Sequence, residues 1–232
     1  MEQIDEKYLT PTSMIDSDHS SIVEYAREIT EGMEDDPLKK AVKLYYAVRD
    51  GIWYDPYLPF FLPEHFRASI TLKNKTGFCI PKAALLCALA RTCGIPARLG
   101  FATVRNHLAT RQLLEHQGSD LFVYHGNTQF FLENKWVIAT PAFNVELCER
   151  HHVEPLEFTG REDSLFHPYN LDKKQFMEYV EYHGFYADVP IDKIVAAFKK
   201  EYGEEYFQNW MEAFHKSGGK SIRDFYSEDV IT

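Results

Sequence analysis

Hydrophobic positions along residues 18–31 recur with a helical period. Ile22, Tyr25, Ala26 and Ile29 fall on one face, because side chains three and four apart stack over one another on a helix. The pattern predicts a first helix over 18–31, with Ser21 and Glu24 at capping-box spacing and Gly32 as its stop. A second helix is predicted over 36–50. Asp36 precedes Pro37, which is tolerated at the first helical position; Ala41, Val42, Leu44, Tyr45 and Val48 continue the period, and Gly51 ends it. The prolines of "YDPYLPFFLPEHF" then impose a loop whose aromatics either wall a cleft or cap the core. Residues 69–72 read as a short helix or turn.

The segment "KNKTGFCIPKAALLCALARTCGIPARLGFA" (73–102) opens a third helix. Pro81 sits in its first turn, and Ala83 to Ala90 are apolar nearly all round, which predicts a central, buried helix. Gly94 and Pro96 close it. Strands follow over 98–104, 121–132 and 136–139, the last two joined by the polar turn 133–135 and stopped at Thr140-Pro141. The prediction is a small antiparallel sheet packed beside the buried helix. Residues 144–190 show weak patterning, and amphipathic helices return over 191–200 and 204–214 before a tail. Neither a repeat nor a flexible linker interrupts the chain, so one domain of 232 residues is expected. Its core spans about 18–145, followed by a His- and Tyr-rich irregular region and C-terminal helices over 146–232. The fold class is α+β.

Composition narrows the function. Hydrophobic residues are 45% and aromatics 15%, enough for an ordered core, and the net charge is −10. A nucleic-acid partner needs a basic surface, and no basic run is present. No stretch approaches the length of a membrane span, and the N-terminus lacks the charged start and apolar core of a signal peptide. With four cysteines and no C-x-x-C pair, free thiols in a reducing compartment are expected, which points to the cytoplasm. The cluster "HHVEPLEFTGREDSLFHPYN" lacks ligand spacing on a helix, so neither a metal nor an organic cofactor is expected.

Cys79 stands apart from the other three cysteines. It precedes the helix start, where unpaired N–H groups and the helix dipole favour a thiolate. Cys87, Cys93 and Cys148 read as small buried hydrophobes. A nucleophilic thiol needs a histidine to take its proton and a third group to orient that histidine. His125, on the strand over 121–132 beside Gly126, is the first candidate, and His107 the second. Gly77 would let the backbone bend or a substrate approach closely. Arg105 could bind an anionic substrate group, and His107 lies near it; surface charges with local partners are the plainer account of Arg98 and Arg105.

Here the chain resembles the transglutaminase-like superfamily. "GFCIPKAALLCALARTCGIPARLGFATV" looks like that family's nucleophile segment, in which Gly-x-Cys opens a central helix and Arg-x-x-Gly-Ile-Pro-Ala-Arg leads into a strand; Arg91, Gly94, Ile95, Pro96, Ala97 and Arg98 match. "AVKLYYAVRDGIWYDP" is similar to the helix upstream, and His125 and Trp136 match the family's histidine hairpin in order and spacing. The resemblance covers about 18–145. It implies a papain-like fold with the cysteine helix against a sheet that bears the histidine. It further implies acyl transfer at an amide or peptide bond, with hydrolysis favoured over cross-linking. The substrate would then be a peptide, a protein or a small amide.

One position departs from the family. Its third member is the Asp of Asp-Pro-Thr, and the aligned residue here is Thr140. A hydroxyl can accept from an imidazole N–H but supplies no carboxylate charge. Asn144, four residues on, could orient the ring instead, as could Asp163 or another distant carboxylate. An incomplete triad would make the chain a binding or scaffold protein that keeps the cleft. A thiol redox sensor is a further reading, without an obvious resolving cysteine.

Overall fold

The computed structural model describes residues 4–33, 36–218, 221 and 223–229. Helix α1 (Ser20–Ile29) buries Ile22 and Ala26. Its cap is not Ser21: the Nδ1 of His19, held in extended backbone, accepts from the Ser21 N–H at 3.3 Å. Helix α2 (Pro37–Gly51) starts as its sequence predicts, with the Asp36 carboxylate accepting from the Lys39 N–H at 2.9 Å. Strand β1 (Trp53–Tyr54) follows, then helix α3 (Ala68–Asn74) and strand β2 (Thr76–Gly77), which pairs parallel to β1 with Gly77 opposite Tyr54.

Helix α4 (Cys79–Thr92) is the centre of the molecule: every residue from Cys79 to Arg91 is buried. It packs on α1, α2 and α3 on one side and on strands β3 (Ala97–Asn106) and β4 (Leu121–Leu132) on the other. Burying a leucine side chain fully contributes about 1.5–3 kcal/mol, and Leu85, Leu86 and Leu89 are all sealed here. Helix α5 (Arg111–Gln117) links β3 to β4, and strand β5 (Lys135–Ala139) returns antiparallel to β4. Glu133 and Asn134 form the tight turn between β4 and β5, both with positive φ. Helix α6 (Val145–Arg150), strand β6 (Met177–Tyr186) and helices α7 (Ile191–Tyr202) and α8 (Glu204–Lys216) complete the order.

The sheet is antiparallel throughout, in the order β5-β4-β3-β6. The helix-on-sheet α+β arrangement with helical flanks is the one expected. Within the region expected to be irregular, α6 and β6 are regular elements. Strand β6 is an edge: it pairs with β3 alone, its register shifts twice, and most of its side chains stay in solvent. Such a strand lacks the clean alternation that marks a half-buried one.

Two buried basic side chains hold α4 in place. The Lys82 amino group, fully buried, donates to the carbonyls of Arg49 (2.9 Å) and Ile52 (2.6 Å), closing the C-terminus of α2. The Arg91 guanidinium donates to the carbonyls of Ala97, Thr10 and Ala187 and so ties three distant segments together. The Gly-Ile-Pro-Ala that follows has its own reason. Gly94 adopts φ +72, which lets the Ile95 N–H reach the Ala90 carbonyl at 3.0 Å and end the helix. Arg98 donates to Gln129 and lies 3.9 Å from the Trp136 ring centroid and 4.0 Å from that of Phe185. It is a surface charge with local partners.

Candidate functional site

Cys79 is the first residue of α4, and the first helical hydrogen bond runs from the Lys82 N–H to the Phe78 carbonyl at 3.1 Å. Pro81 falls within that first turn, where no donor is missed. Burial pushes the Cys79 thiol up to about 11, while the backbone N–H groups of Gly126, Ile80 and Cys79 itself pull it down. A helix N-terminus set against a strand places backbone N–H groups where they act on the thiol in that sense. Burial likewise pushes Cys87 up to about 11, against the pull of the Arg91 side chain, and Cys148 up to about 12, against the charge of Arg49. All four cysteines are free thiols.

His125 is carried by β4, opposite Ala102 of β3. Two residues along β3, Val104 faces Phe122, so Val123 and Tyr124 of β4 stand against Thr103 alone: a β-bulge. Tyr124 takes φ +54, unusual for a bulky side chain, and its ring stacks on His183 at 4.2 Å. Gly126 follows, where a Cβ would come 3.1 Å from the Ile80 Cα. The strand and the start of α4 touch at that point, which brings His125 and Cys79 to the same cleft.

That cleft has about 50 Å³ of free space and is lined by both Cys79 and His125. Pro56, Leu58 and Phe60 wall one side, and Phe198, Tyr202, Tyr206 and Trp210 of α7 and α8 form a roof. Tyr202 secures the roof: its hydroxyl donates to the Leu121 carbonyl (3.0 Å) and accepts from the Val123 N–H (3.2 Å). The aromatic face of α8 reads from the sequence as core or a subunit contact. A roof over the thiol could not be read there, since it depends on how the chain returns after β6. A second chamber lies beyond His125, Tyr54 and Phe122, which wall both spaces.

Burial alone pushes the His125 imidazole down to about 3. Its ring packs edge-on against Phe166 at 4.8 Å, and its Nε2 is buried with no hydrogen-bond partner among the described residues. In this closed arrangement both members of the pair are therefore neutral. A buried polar atom without a partner costs about 1–3 kcal/mol, and such atoms mark strained or functional positions.

The candidate orienting residues are engaged elsewhere. The Thr140 hydroxyl donates to the Ser164 carbonyl at 2.7 Å. The Asn144 Oδ1 accepts from the Tyr54 N–H (3.3 Å) and the Tyr226 hydroxyl (3.0 Å), and its amide donates to Glu146 at 2.9 Å. Asp163 accepts from the Ile138 N–H at 2.8 Å. Gly77 lies beneath the first turn of α4, where a Cβ would meet Thr71, Pro81 and Lys82 within 3.2–3.3 Å. Arg105 pairs with Asp120 (3.2 Å) and Glu178 (3.3 Å), and His107 stands 3.4 Å from the same Glu178. Of the residues singled out from the sequence, the structure thus brings Cys79 and His125 together at the cleft; Gly77, Arg105, His107, Thr140 and Asn144 do not line it. Among the described residues, no group of three or more His, Cys, Asp or Glu side chains could hold a metal, and no helix is long and apolar enough to cross a membrane.

No curated protein matches this sequence. A solved structure from Cytophaga hutchinsonii, described as a candidate cysteine protease, superposes with a TM-score of 0.47 at 15% identity. The match covers 80% of this chain and 55% of that one. The family model of the transglutaminase-like superfamily matches residues 23–141, just over half of the chain. That span runs from α1 through the cysteine helix and the histidine strand to the end of β5, and the chain belongs to the transglutaminase-like superfamily.

Proposed function

We propose that this protein is a cysteine-dependent acyl-transfer enzyme acting on an amide or peptide bond. The carrying observation is the meeting of Cys79, at the N-terminus of α4, and His125 at one cleft. The Cys79 sulfur attacks the amide carbonyl, and His125 takes the thiol proton. The tetrahedral intermediate collapses as the C–N bond breaks, and His125 gives its proton to the departing amine. Water then adds to the thioester, His125 takes a proton from it, and the carboxylic acid leaves as the thiol re-forms. Water is the preferred acceptor in this reading, so the enzyme is a hydrolase. Membership of the superfamily supports the class of reaction, and four free thiols support a cytoplasmic setting. The substrate is a peptide, a protein or a small amide.

A second reading has its own support. Thr140 and Asn144 are both engaged away from His125, and a ring without an orienting partner suits a binding protein that retains the cleft. Iodoacetamide labelling across pH, with each cysteine mapped by mass spectrometry, separates the two. The enzyme reading expects Cys79 to label at least about tenfold faster than Cys87 and Cys148 near neutral pH, and that advantage to vanish in His125→Ala. Equal rates for the three cysteines, unchanged in His125→Ala, would leave only the binding reading.

A further inference from the structure

The His125 ring makes no hydrogen bond at Nε2 among the described residues, and Thr140 and Asn144 are engaged by other partners. Its aim therefore rests on the backbone that carries it and on its packing against Phe166. That backbone is irregular. The β-bulge ends one residue before His125, and Tyr124 within it takes φ +54, a conformation that a bulky residue keeps only where its surroundings hold it. Two sets of contacts do so. From the β6 side, the Tyr124 ring stacks on His183, whose Nε2 lies 2.8 Å from the hydroxyl of Thr103, the residue that the bulge stands against. From the cleft, the hydroxyl of Tyr202, the last residue of α7, accepts from the Val123 N–H at 3.2 Å and donates to the Leu121 carbonyl at 3.0 Å. A bulge leaves its extra residue out of the ladder, and here a side chain 79 residues further along the chain takes up the Val123 N–H.

We propose that Tyr202 is a positioning residue for His125: its hydroxyl fixes the β4 bulge and, through it, the direction in which the imidazole faces Cys79. The inference rests on Cys79 and His125 being the reacting pair and adds the group that aims the base. The hydroxyl spans Leu121 to Val123, and so sets the course of the strand two residues before His125. The Tyr202 side chain also lines the cleft that holds Cys79. Tyr202 lies beyond residues 23–141, the span of the family match, so α7 completes the site from outside that span. A displacement of about 1 Å at a reacting group can cost a hundredfold in rate, so a small shift of the bulge suffices to matter. A second tie fastens the same end of α7: the Ser119 hydroxyl donates to the Glu201 carboxylate at 2.7 Å. Ser119 stands ahead of β4, so this tie docks the helix without touching the bulge, and the two roles can be separated.

The test follows iodoacetamide labelling of Cys79, Cys87 and Cys148 near neutral pH in the full chain. It compares the parent with Tyr202→Phe, Glu201→Ala, His125→Ala and the double variant Tyr202→Phe/His125→Ala. Tyr202→Phe deletes only the hydroxyl and is expected to slow Cys79 by about three- to tenfold. The double variant is expected to label no slower than His125→Ala alone, because a group that acts through His125 then has nothing left to act on. Glu201→Ala is expected to leave all three rates within about twofold of the parent. Faster labelling of Cys79 in Tyr202→Phe would assign the hydroxyl to holding the roof shut and overturns the inference. So do additive losses in the double variant, and so does an equal loss in Glu201→Ala. If Tyr202→Phe also releases Cys87 and Cys148, the fold has opened, and His183→Ala, which frees Tyr124 from the β6 side, carries the same comparison; an unchanged Cys79 rate there overturns the aiming of His125 by the bulge. A parent Cys79 no more reactive than Cys87 is a different failure. It removes the reacting pair itself, and the inference falls with it.

Discussion

Replacing Gly126 by alanine tests the contact that sets the site. The added Cβ would lie 3.1 Å from the Ile80 Cα and 3.4 Å from the Phe101 Cε1. The nearer atom is backbone in the first turn of α4, so it cannot swing aside; helix and strand must part by a few tenths of an ångström. Overpacking of this kind costs about 1–3 kcal/mol. Alanine restricts the unfolded chain more than glycine does and returns about 0.4–1 kcal/mol, because Gly126 does not take a positive φ. The net expectation is a loss of about 1–2 kcal/mol, or roughly 2–8 °C in Tm for a chain of this size. Calorimetry or urea unfolding measures it. The same displacement moves Cys79 relative to His125 and the Gly126 N–H, so iodoacetamide labelling of Cys79 should change by severalfold while that of Cys148 does not. A variant as stable as the parent, with Cys79 labelling unchanged, would refute the argument that this contact positions the site.

Lys82 predicts a pH dependence. Burial holds its ammonium down at about 7 in the folded state, against 10.5 for an exposed lysine. Between those values the unfolded chain binds the proton and the folded one does not, so stability rises with pH. Urea unfolding should show the parent gaining about 1–2 kcal/mol relative to Lys82→Met between about pH 7 and pH 8.5; parallel profiles would count against the buried lysine. Arg91→Leu strands the carbonyls of Thr10, Ala97 and Ala187 and should cost about 3 kcal/mol or more by denaturant titration. Glu228→Ala removes the acceptor of the Tyr57 and Thr110 hydroxyls; limited proteolysis should then cut the C-terminal segment several times faster than in the parent, and an unchanged rate would show that other contacts hold it.

Much of this arrangement could be read from the chain because the governing signals are local. Asp36-Pro37 starts α2, the apolar run after Pro81 makes α4 central, and β4 occupies the residues its hydrophobic run marks. What escaped reading depends on partners far away in sequence. Strand β6 pairs with β3 some 80 residues upstream, and as an edge it needs few apolar residues. The short α5 shows too few turns for its period to stand out, though Thr110 caps it. His19 caps α1 through a ring nitrogen, for which the Ser-x-x-Glu pattern gives no warning. At the candidate site, what was legible is that Cys79 lies at a helix start and His125 on a strand. The engagement of Thr140 by Ser164 was not, since it follows from how residues 155–170 fold back. Nor was the roof of Tyr202, Tyr206 and Trp210, which the sequence presents only as an aromatic helix face.

The extra residue in β4 has a bearing on how this strand can vary. In an unbroken strand, side chains three apart point to opposite sides. Phe122 and His125 nevertheless wall the same two spaces, because the chain gains one step between them. The bulge therefore works as a phase corrector, letting the first part of the strand and the part that bears the histidine address one cavity. Deleting Val123 or Tyr124 would restore a regular ladder and leave Phe122 two steps from His125, still on its side; straightening the strand without removing a residue is what would turn Leu121 and Phe122 over. Strand length and bulge therefore have to change together at this point, whatever the identity of either side chain.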